Sequence, residues 1–487
     1  MASNTRLLSY RGQQRCPRLG TFVILTTHSY FLHHDAKQLA RMTPYSPLST
    51  LIATALLEEA GHSVTHFDAT FAGGVEAFAA VLDREQPSVV AILEDNFNFL
   101  TKMCTVRRRA DALEMVSAAA ARGCRVFVNG PDSSDRPELY LNAGAQAVLM
   151  GEGETTLLQI AEVCRDTPDA RLDGIPGLAL PGSGISVRRT PARLHLRALD
   201  ALPFPAWRHI DAETYRRAWR AKHGHFSWNI ATSRGCPYAC NWCAKPTFGR
   251  GYEQRSPTSV VSEMRALKDW IAPDHIWFAD DIFGLTAEWL RGFASEAARE
   301  RLRMPFTMQS RVNLMKSDPV DALAKAGAFE VWLGVESGSQ KILDAMDKGS
   351  NIEEIRAATR TLKHYGIRAC WFIQLGYPGE TWDDLRSTRD LIRSERPDDI
   401  GVSVAYPLPG TRFYDLVRAE MGERKNWDDS DDLRMLFQGT YDTEFYRMVR
   451  DVLHDEVRTG QFDDGPWQGL QREEPDHRCS NPVRLAS

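Results

Sequence analysis

Three cysteines, Cys236, Cys240 and Cys243, stand in the stretch Arg234-Gly235-Cys236-Pro237-Tyr238-Ala239-Cys240-Asn241-Trp242-Cys243. Gaps of three and two residues, in a segment punctuated by Gly235 and Pro237, let three thiolates wrap one corner of a cubane iron–sulfur cluster. A closed 4Fe–4S site takes four cysteines, and Cys164 and Cys370, the nearest others, are far away in sequence. Three ligands leave one iron open to a small molecule. A structural zinc site would want a fourth Cys or His at finger-like spacing, and none lies close by. A redox pair made of Cys240 and Cys243 would leave Cys236 idle. The cluster is the reading that uses all three.

Other suggestive residues end apolar runs further along. Asp280 and Asp281 follow His275–Phe278, where a carboxylate can accept from a ligand ammonium or simply cap a helix start. Arg311 offers a planar fork to a carboxylate, or a surface ion pair. Glu336 ends an apolar strand, where an unpaired carboxylate is expensive and a ligand hydroxyl or a backbone amide would relieve it. Gly376 and Gly379 flank Pro378 in a turn. Cys370 is most simply a small buried apolar residue, and Cys16, Cys104, Cys124, Cys164 and Cys479 carry no functional reading.

The elements that must position these residues follow a βα rhythm. Short β-branched runs at Thr21–Thr27, Ser63–Phe67, Ser88–Leu93, Arg125–Asn129 and Ala147–Met150 alternate with helix-period segments, as in a parallel sheet. Ser46-Pro47 is expected to open the clearest of those helices and Gly61 to close it. A flavodoxin-like, doubly wound domain follows, with its ligand site at the carboxyl ends of the strands. Gly130, Gly151 and Gly153 fall at the ends of the fourth and fifth strands, where bare backbone admits a large planar ligand. Residues 166–225, rich in Pro, Gly and Arg, read as a linker. The alternation resumes over 226–425, with strands expected at His275–Phe278, Phe306–Gln309, Glu330–Val335, Ala369–Leu375 and Gly401–Ala405. A parallel barrel or partial barrel fits, with chemistry where strands end in loops. Beyond 426 come the acidic Asp428–Asp432, one helix near Thr443–Val457, and a polar tail after Gly460 expected to be disordered.

Composition bounds the rest. At 487 residues, two or three domains are the natural expectation. A net charge of −5, with charges interspersed, argues against a nucleic-acid partner. Nine cysteines do not make a disulfide framework at this size, and an oxygen-sensitive cluster suits a reducing compartment. The polar start, Met1 to Gly20, has no apolar stretch of signal-peptide length, and the run from Phe22 to Leu25 is too short to cross a bilayer. The expectation is a soluble, cytoplasmic protein.

The cysteine triplet, with aromatic Trp242 before its third member, resembles the signature of the radical S-adenosylmethionine (SAM) superfamily. The chain to about 420 is similar to the cobalamin-binding branch, which includes the anaerobic magnesium-protoporphyrin monomethyl ester cyclase and many C- and P-methyltransferases. Tyr45-Ser46-Pro47-Leu48 through Gly61-His62, Asn129-Gly130-Pro131-Asp132 and Gly151-Glu152-Gly153-Glu154 resemble its cobalamin domain. Phe278-Ala279-Asp280-Asp281-Ile282-Phe283, Gly334-Val335-Glu336-Ser337-Gly338, Gly376-Tyr377-Pro378-Gly379-Glu380-Thr381 and Pro407-Leu408-Pro409-Gly410-Thr411 resemble its barrel.

The resemblance implies a 4Fe–4S cluster on Cys236, Cys240 and Cys243 whose open iron chelates SAM. It implies SAM contacts from Asp280 or Asp281 (ammonium), Arg311 (carboxylate), Glu336 (ribose) and the Gly376–Gly379 turn (adenine). Cobalamin would lie at Gly130, Gly151 and Gly153, faced by Glu94-Asp95-Asn96. Residues 1–165 would be the cobalamin-binding, Rossmann-like domain and 226–425 the radical SAM barrel, followed by a helical extension and tail over 426–487. An external electron donor of flavodoxin or ferredoxin type is implied too. The sequence departs from cobalamin domains that carry Asp-x-His-x-x-Gly: the loop after the first strand has His28, His33, His34 and Asp35 without that arrangement, so cobalamin is expected without a protein axial histidine. The function implied is methylation of an unactivated carbon of a small metabolite or natural-product intermediate, with an oxidative cyclase or rearrangement enzyme as the alternative. An RNA-modifying methylthiotransferase would need a second cysteine triplet and a basic appendage, and a cobalamin sensor would not need the cluster triplet. Trp207, Trp228, Trp371 and Tyr406 are aromatic-core candidates that could also line a pocket.

Overall fold

The computed structural model describes residues 22–97, 103, 105–167, 170–184, 186–243 and 251–483. The polar start, Thr21, Cys16 and Cys104 lie outside the described residues. The first sheet is built from β1 (Val23–Thr27), β2 (Ser63–Phe67), β3 (Val89–Leu93), β4 (Arg125–Asn129), β5 (Ala147–Leu149), β6 (Leu178–Pro181) and β7 (Val187–Arg189). Its order is β2-β1-β3-β4-β5-β6-β7. The first five strands run parallel, the flavodoxin-like arrangement the sequence predicts, and reverse direction of winding between β1 and β3. Val89 to Leu93 are all buried because helices cover both faces. Leu25, Val90 and Val126 pack toward helices Val75–Glu85 and Val106–Ala120, whereas Ile24, Ala91 and Phe127 pack toward Leu48–Glu59 and Glu154–Asp166.

The segment expected as a linker has more structure than that. β6 pairs antiparallel with β5 and β7 with β6, extending the first sheet, and residues Ala212–His223 form a helix that buries Tyr215 and Trp219. Their Pro and Gly content marked turns, and the short strands between those turns were too brief to show a period. Ser46 is not a helix cap. Its hydroxyl donates to Asn229 Oδ1 at 2.8 Å, and Asp95 Oδ1 instead accepts from Ser49 N at 3.3 Å in the first turn of Leu48–Glu59.

The second sheet contains β8 (Ser227–Ile230), β11 (His275–Phe278), β12 (Phe306–Ser310), β13 (Ala328–Glu336), β14 (Arg368–Leu375) and β15 (Asp399–Val404). The small antiparallel pair β9 (Ser233–Arg234) and β10 (Glu253–Gln254) lies between β8 and β11 in the chain. The order β15-β14-β13-β12-β11-β8 is parallel throughout, an open partial barrel with β8, not expected from the sequence, at one edge. Trp207, Trp228, Trp371 and Tyr406 all belong to its apolar core. Trp371 Nε1 donates to Thr359 Oγ1 in helix Ile352–His364 at 3.1 Å, so it faces the helices and not a pocket.

The C-terminal residues tie the two halves together. Trp427 and Asp428 carbonyls accept from Val106 N and Arg107 N at 2.8 and 3.2 Å, closing the start of a helix in the first domain. The tail expected to be disordered instead continues from helix Thr443–Thr459 into helix Asp464–Glu473. Trp467 is 2% exposed there and donates to Glu456 Oε1 at 2.9 Å. The polar composition hid two anchors, Trp467 and Leu470, at helical spacing. Among the described residues no helix is long and apolar enough to cross a membrane. Replacing Trp467 with Ala should destabilise the chain by about 3–5 kcal/mol, the usual range for a buried aromatic. Guanidinium denaturation would check this, and a mutant as stable as wild type would contradict the docking of this helix.

Candidate functional site

The cysteine loop is fixed from its middle. Asn241 donates from its backbone to Met346 O at 3.1 Å and from Nδ2 to Ala345 O at 2.7 Å. Its side-chain oxygen accepts from Tyr377 OH at 2.9 Å, and its carbonyl from Phe413 N at 3.0 Å. Although it leaves the edge strand β8, the loop is thereby held over the barrel mouth by residues that follow β13, β14 and β15. Cys236, Cys240 and Cys243 are each half-buried on it. Among the described residues no three His, Cys, Asp or Glu side chains converge as they would on a single ion. A cubane makes a different demand, because each cysteine binds its own iron.

Arg311, 5% exposed, reaches this loop directly. NH1 lies 3.3 Å from Cys240 Sγ, Nε 3.3 Å from Asn313 Oδ1, and NH2 donates to Lys348 O. The guanidinium also sits 3.9 Å from the centre of the Tyr238 ring. It therefore puts positive charge beside a sulfur that must be a thiolate to bind iron. Its fork braces the loop, so a ligand carboxylate would share these donors rather than find them vacant.

Glu336 is 5% exposed and closes β13 with φ +67°, a left-handed conformation uncommon for its type. Its partner is neither a backbone amide nor, in the chain itself, a hydroxyl: Lys348 Nζ donates to Oε1 at 2.6 Å. Gly334 makes this pair possible, since a Cβ there would fall 2.6 Å from Lys348 Nζ and 2.7 Å from Glu336 Oε1. Lys348, which nothing in its sequence context singled out, joins Glu336, Arg311 and Trp242, whose ring centre is 5.9 Å from Nζ.

Asp280 is fully buried at the end of β11. Its Oδ1 accepts from Thr232 N and Oγ1 at 2.9 Å each and from Ser233 Oγ at 2.5 Å. Oδ2 is buried with no hydrogen-bond partner in the chain. Burial pushes the carboxyl up to about 7, against the pull of those donors. Asp281 is only half-buried beside it. Glu380 is a second such group: burial pushes it up to about 8, with Gly376 N donating at 2.7 Å to Oε2 and Oε1 unpartnered. The turn itself is crowded. Gly376 has φ +76°, and a Cβ there would meet Met435 at 2.9 Å and the Tyr446 ring at 3.2 Å. Gly379 shares the positive φ, at +84°.

The first domain brings Gly130, Gly151 and Gly153 to one end of its sheet. A Cβ on Gly130 would strike Glu94 Cβ at 2.7 Å, and one on Gly153 would strike Asn129 Cγ at 2.7 Å, so neighbours already fill those two spaces. Gly151, with φ +72°, would have nothing within 4 Å of an added Cβ and keeps an open approach. Glu94 is taken up internally, accepting from Ser29 N at 3.0 Å and Arg108 NH2 at 2.7 Å. Asp95 braces residues 49 and 97, each at 3.3 Å. Arg108, its side chain 10% exposed, has Nε and NH1 buried without partners at the β1–β3 crevice, a demand for acceptor atoms that a large bound group would meet. In the loop after β1, His28 Nε2 lies 3.1 Å from Asp68 Oδ1 and His34 Nδ1 2.8 Å from Asp111 Oδ2, while His33 is exposed and Asp35 caps a short helix.

Arg234, the residue leading into the cysteine loop, joins the two sets. It is 5% exposed and meets Glu154 Oε1 at 2.7 Å and Glu152 Oε1 at 3.2 Å. Burial works against its charge, and the two glutamates more than offset that, raising its pKa. The glutamates were legible only as spacers in Gly151-Glu152-Gly153-Glu154; their target lies 80 residues downstream of Glu154.

Asp280 supplies a pH test. A folded-state pKa of about 7 lies above the ordinary carboxylate value of 3.8, so the native state holds its proton longer than the unfolded chain does. The contribution of Asp280 to stability should then fall as pH rises from about 4 through 7 and level off above, by on the order of a few kcal/mol. Asp280→Asn, which cannot ionise, should lose that share of the slope and keep the share of Glu380, whose carboxyl is raised to about 8. Denaturation midpoints of both chains across pH 4–9 without SAM check it; parallel profiles would contradict the assignment.

Residues 230–392 match the Radical SAM superfamily. Among curated relatives, an uncharacterized methyltransferase of Pyrococcus horikoshii is 27% identical over 346 residues, covering 70% of this chain and 72% of the relative. The anaerobic magnesium-protoporphyrin IX monomethyl ester cyclase of Rubrivivax gelatinosus is 28% identical over 57% of this chain, which spans only 49% of that enzyme. The solved structure of the radical S-adenosylmethionine methyltransferase TsrM from Kitasatospora setae, with cobalamin and a [4Fe-4S] cluster bound, superposes with a TM-score of 0.69 at 21% identity, covering 83% of this chain and 79% of that one. It shares the fold.

Proposed function

We propose that this chain, which carries a radical SAM domain over residues 230–392 beside a flavodoxin-like domain, is a cobalamin-dependent radical SAM C-methyltransferase. Its substrate is an unactivated carbon of a small metabolite or natural-product intermediate. The observation that carries the proposal is the buried contact of Arg234 with Glu152 and Glu154. It fastens the loop that presents the three cysteines to the loop that follows β5, so the expected cluster and corrin ends of the two domains adjoin.

With its cofactors bound, such a site supplies a 5′-deoxyadenosyl radical from reductive SAM cleavage and a methyl group carried on cobalamin. The chain's own contribution is to hold and orient. Cys236, Cys240 and Cys243 would ligate the cluster on a loop already immobilised through Asn241. Asp280 has one carboxylate oxygen waiting for a donor, which suits an ammonium; Asp281, Glu336 and the Gly376–Gly379 turn complete the reading for SAM. Arg311 holds Cys240 in place and offers residual positive charge to the SAM carboxylate. At the other domain, Gly151 leaves backbone open, Gly130 and Gly153 let Glu94 and Asn129 close the sheet end, and Arg108 presents unsatisfied donors. An external flavodoxin- or ferredoxin-type protein would deliver the electron, and cytoplasmic redox conditions suit the cysteines.

A cyclase-type reaction is the alternative, supported by the similarity to the Rubrivivax gelatinosus enzyme. Methyl-labelled SAM separates the two. Incubation of the anaerobically reconstituted chain with reductant, cobalamin and a small-molecule extract should yield a product carrying the label, and unlabelled product would favour cyclisation. Cys240→Ala should lose cluster iron and SAM cleavage together. A Cys240→Ala protein that retains both would overturn the assignment of the triplet.

A further inference from the structure

The second sheet has two unlike faces. Along each strand alternate side chains point to opposite sides, and Trp228, Ile276, Phe306, Val331 and Trp371 turn toward the helices and are fully buried. The opposite, inner face carries Trp277, Trp332, Phe372 and Gln374. All three of those rings are only half-buried although they sit on interior strands. Trp332 and Phe372 stack, with centroids 4.9 Å apart and planes 28° from parallel. Glu330 Oε1 accepts from Trp332 Nε1 at 2.8 Å, which fixes that ring and leaves its face to offer. The rings lean over Gly401, where a Cβ would come within 3.3 Å of each.

The charges flanking the rings on β13 and β14 are paired, and Asp399 on this face is an exposed carboxylate at the start of β15. Lys348 holds Glu336 at 2.6 Å and Arg368 holds Glu330 at 3.1 Å. Among the described residues of this face, Gln374 leaves a polar demand unmet. Gln374 follows Phe372 on the same face, nearer the carboxyl ends of the strands, and is 5% exposed with Oε1 buried and without a hydrogen-bond partner. A buried acceptor of this kind is costly until a donor reaches it.

We propose that this face seats the substrate, and that the substrate is a planar, uncharged aromatic or heteroaromatic ring system whose N–H or O–H donates to Gln374 Oε1. The inference rests on the radical SAM reading for why a substrate enters the barrel at all. The rings give a flat, rigid platform with a preference for π faces; the paired charges give nothing to an ionic group; the glutamine sets the position of a donor. Gly401 keeps the platform in place, because any side chain there would push into both rings.

The test is titration calorimetry on the anaerobically reconstituted full chain, with three probes: 2-quinolone, N-methyl-2-quinolone and the saturated lactam octahydro-2-quinolone. The planar donor 2-quinolone should bind tightest, and loss of either planarity or the N–H should weaken binding about tenfold. Gln374→Leu, close in size and apolar, should abolish the preference for 2-quinolone over its N-methyl derivative while keeping the preference for planarity. Trp332→Leu should do the reverse. No binding of 2-quinolone, equal binding of the saturated lactam, or an undiminished N–H preference in Gln374→Leu would each overturn the proposal. Because these titrations need no turnover, they fail separately from the methyl-transfer reading: a chain that labels a product yet shows no preference among the probes loses only the substrate class.

Discussion

Arg234 with Glu152 and Glu154 is the contact on which the arrangement of the site depends. A guanidinium taken out of water is expensive, and only close carboxylates with good geometry restore what hydration supplied. Here the three side chains are each under a tenth exposed, so separation of the domains would expose or orphan three charges at once. The contact also has position on its side. Arg234 immediately precedes the cysteine loop, and the glutamates alternate with Gly151 and Gly153 in the loop after β5. Leu196 N adds a donor to Glu152 Oε2 at 2.7 Å, which draws the returning chain into the same knot.

Around that fixed point the chain uses two opposite treatments of buried charge. Lys348–Glu336 and Arg108–Glu94 are paired at 2.6 and 2.7 Å and make rigid corners. Asp280 and Glu380 are left with one oxygen each unpartnered, and burial moves both toward the neutral form. Groups of the second kind destabilise the fold when ionised and gain most from a ligand donor. Their location in the segments that follow β11 and β14 gives the barrel mouth something to gain from being filled.

The C-terminal segment turns these two domains into one unit. Residues 426–432 close a helix of the first domain, Ser430 Oγ donates to Asp35 at 2.6 Å, and helix Thr443–Thr459 packs on β15. Met435 and Tyr446 also press on the Gly376 turn. A glycine that the sequence presents as an approach for ligand is, on its Cβ side, a seat for the chain's own tail.

The sequence alone determined the local matters. Short apolar, β-branched runs placed ten strands within a residue or two of where they lie, since a strand packed against helices on at least one face needs apolar residues along its own length whatever its distant neighbours. That Cys236, Cys240 and Cys243 share one loop was legible because their spacing is itself local. Tertiary structure decided what depends on distant partners: that Arg311 clamps Cys240, that Glu336 answers Lys348, that 166–225 extends a sheet, and that Trp332, Phe372 and Gln374 share an inner face. Each of these is a meeting of groups a dozen or more residues apart, or a choice of sheet face that strand alternation permits but only the packing of helices against the other face fixes.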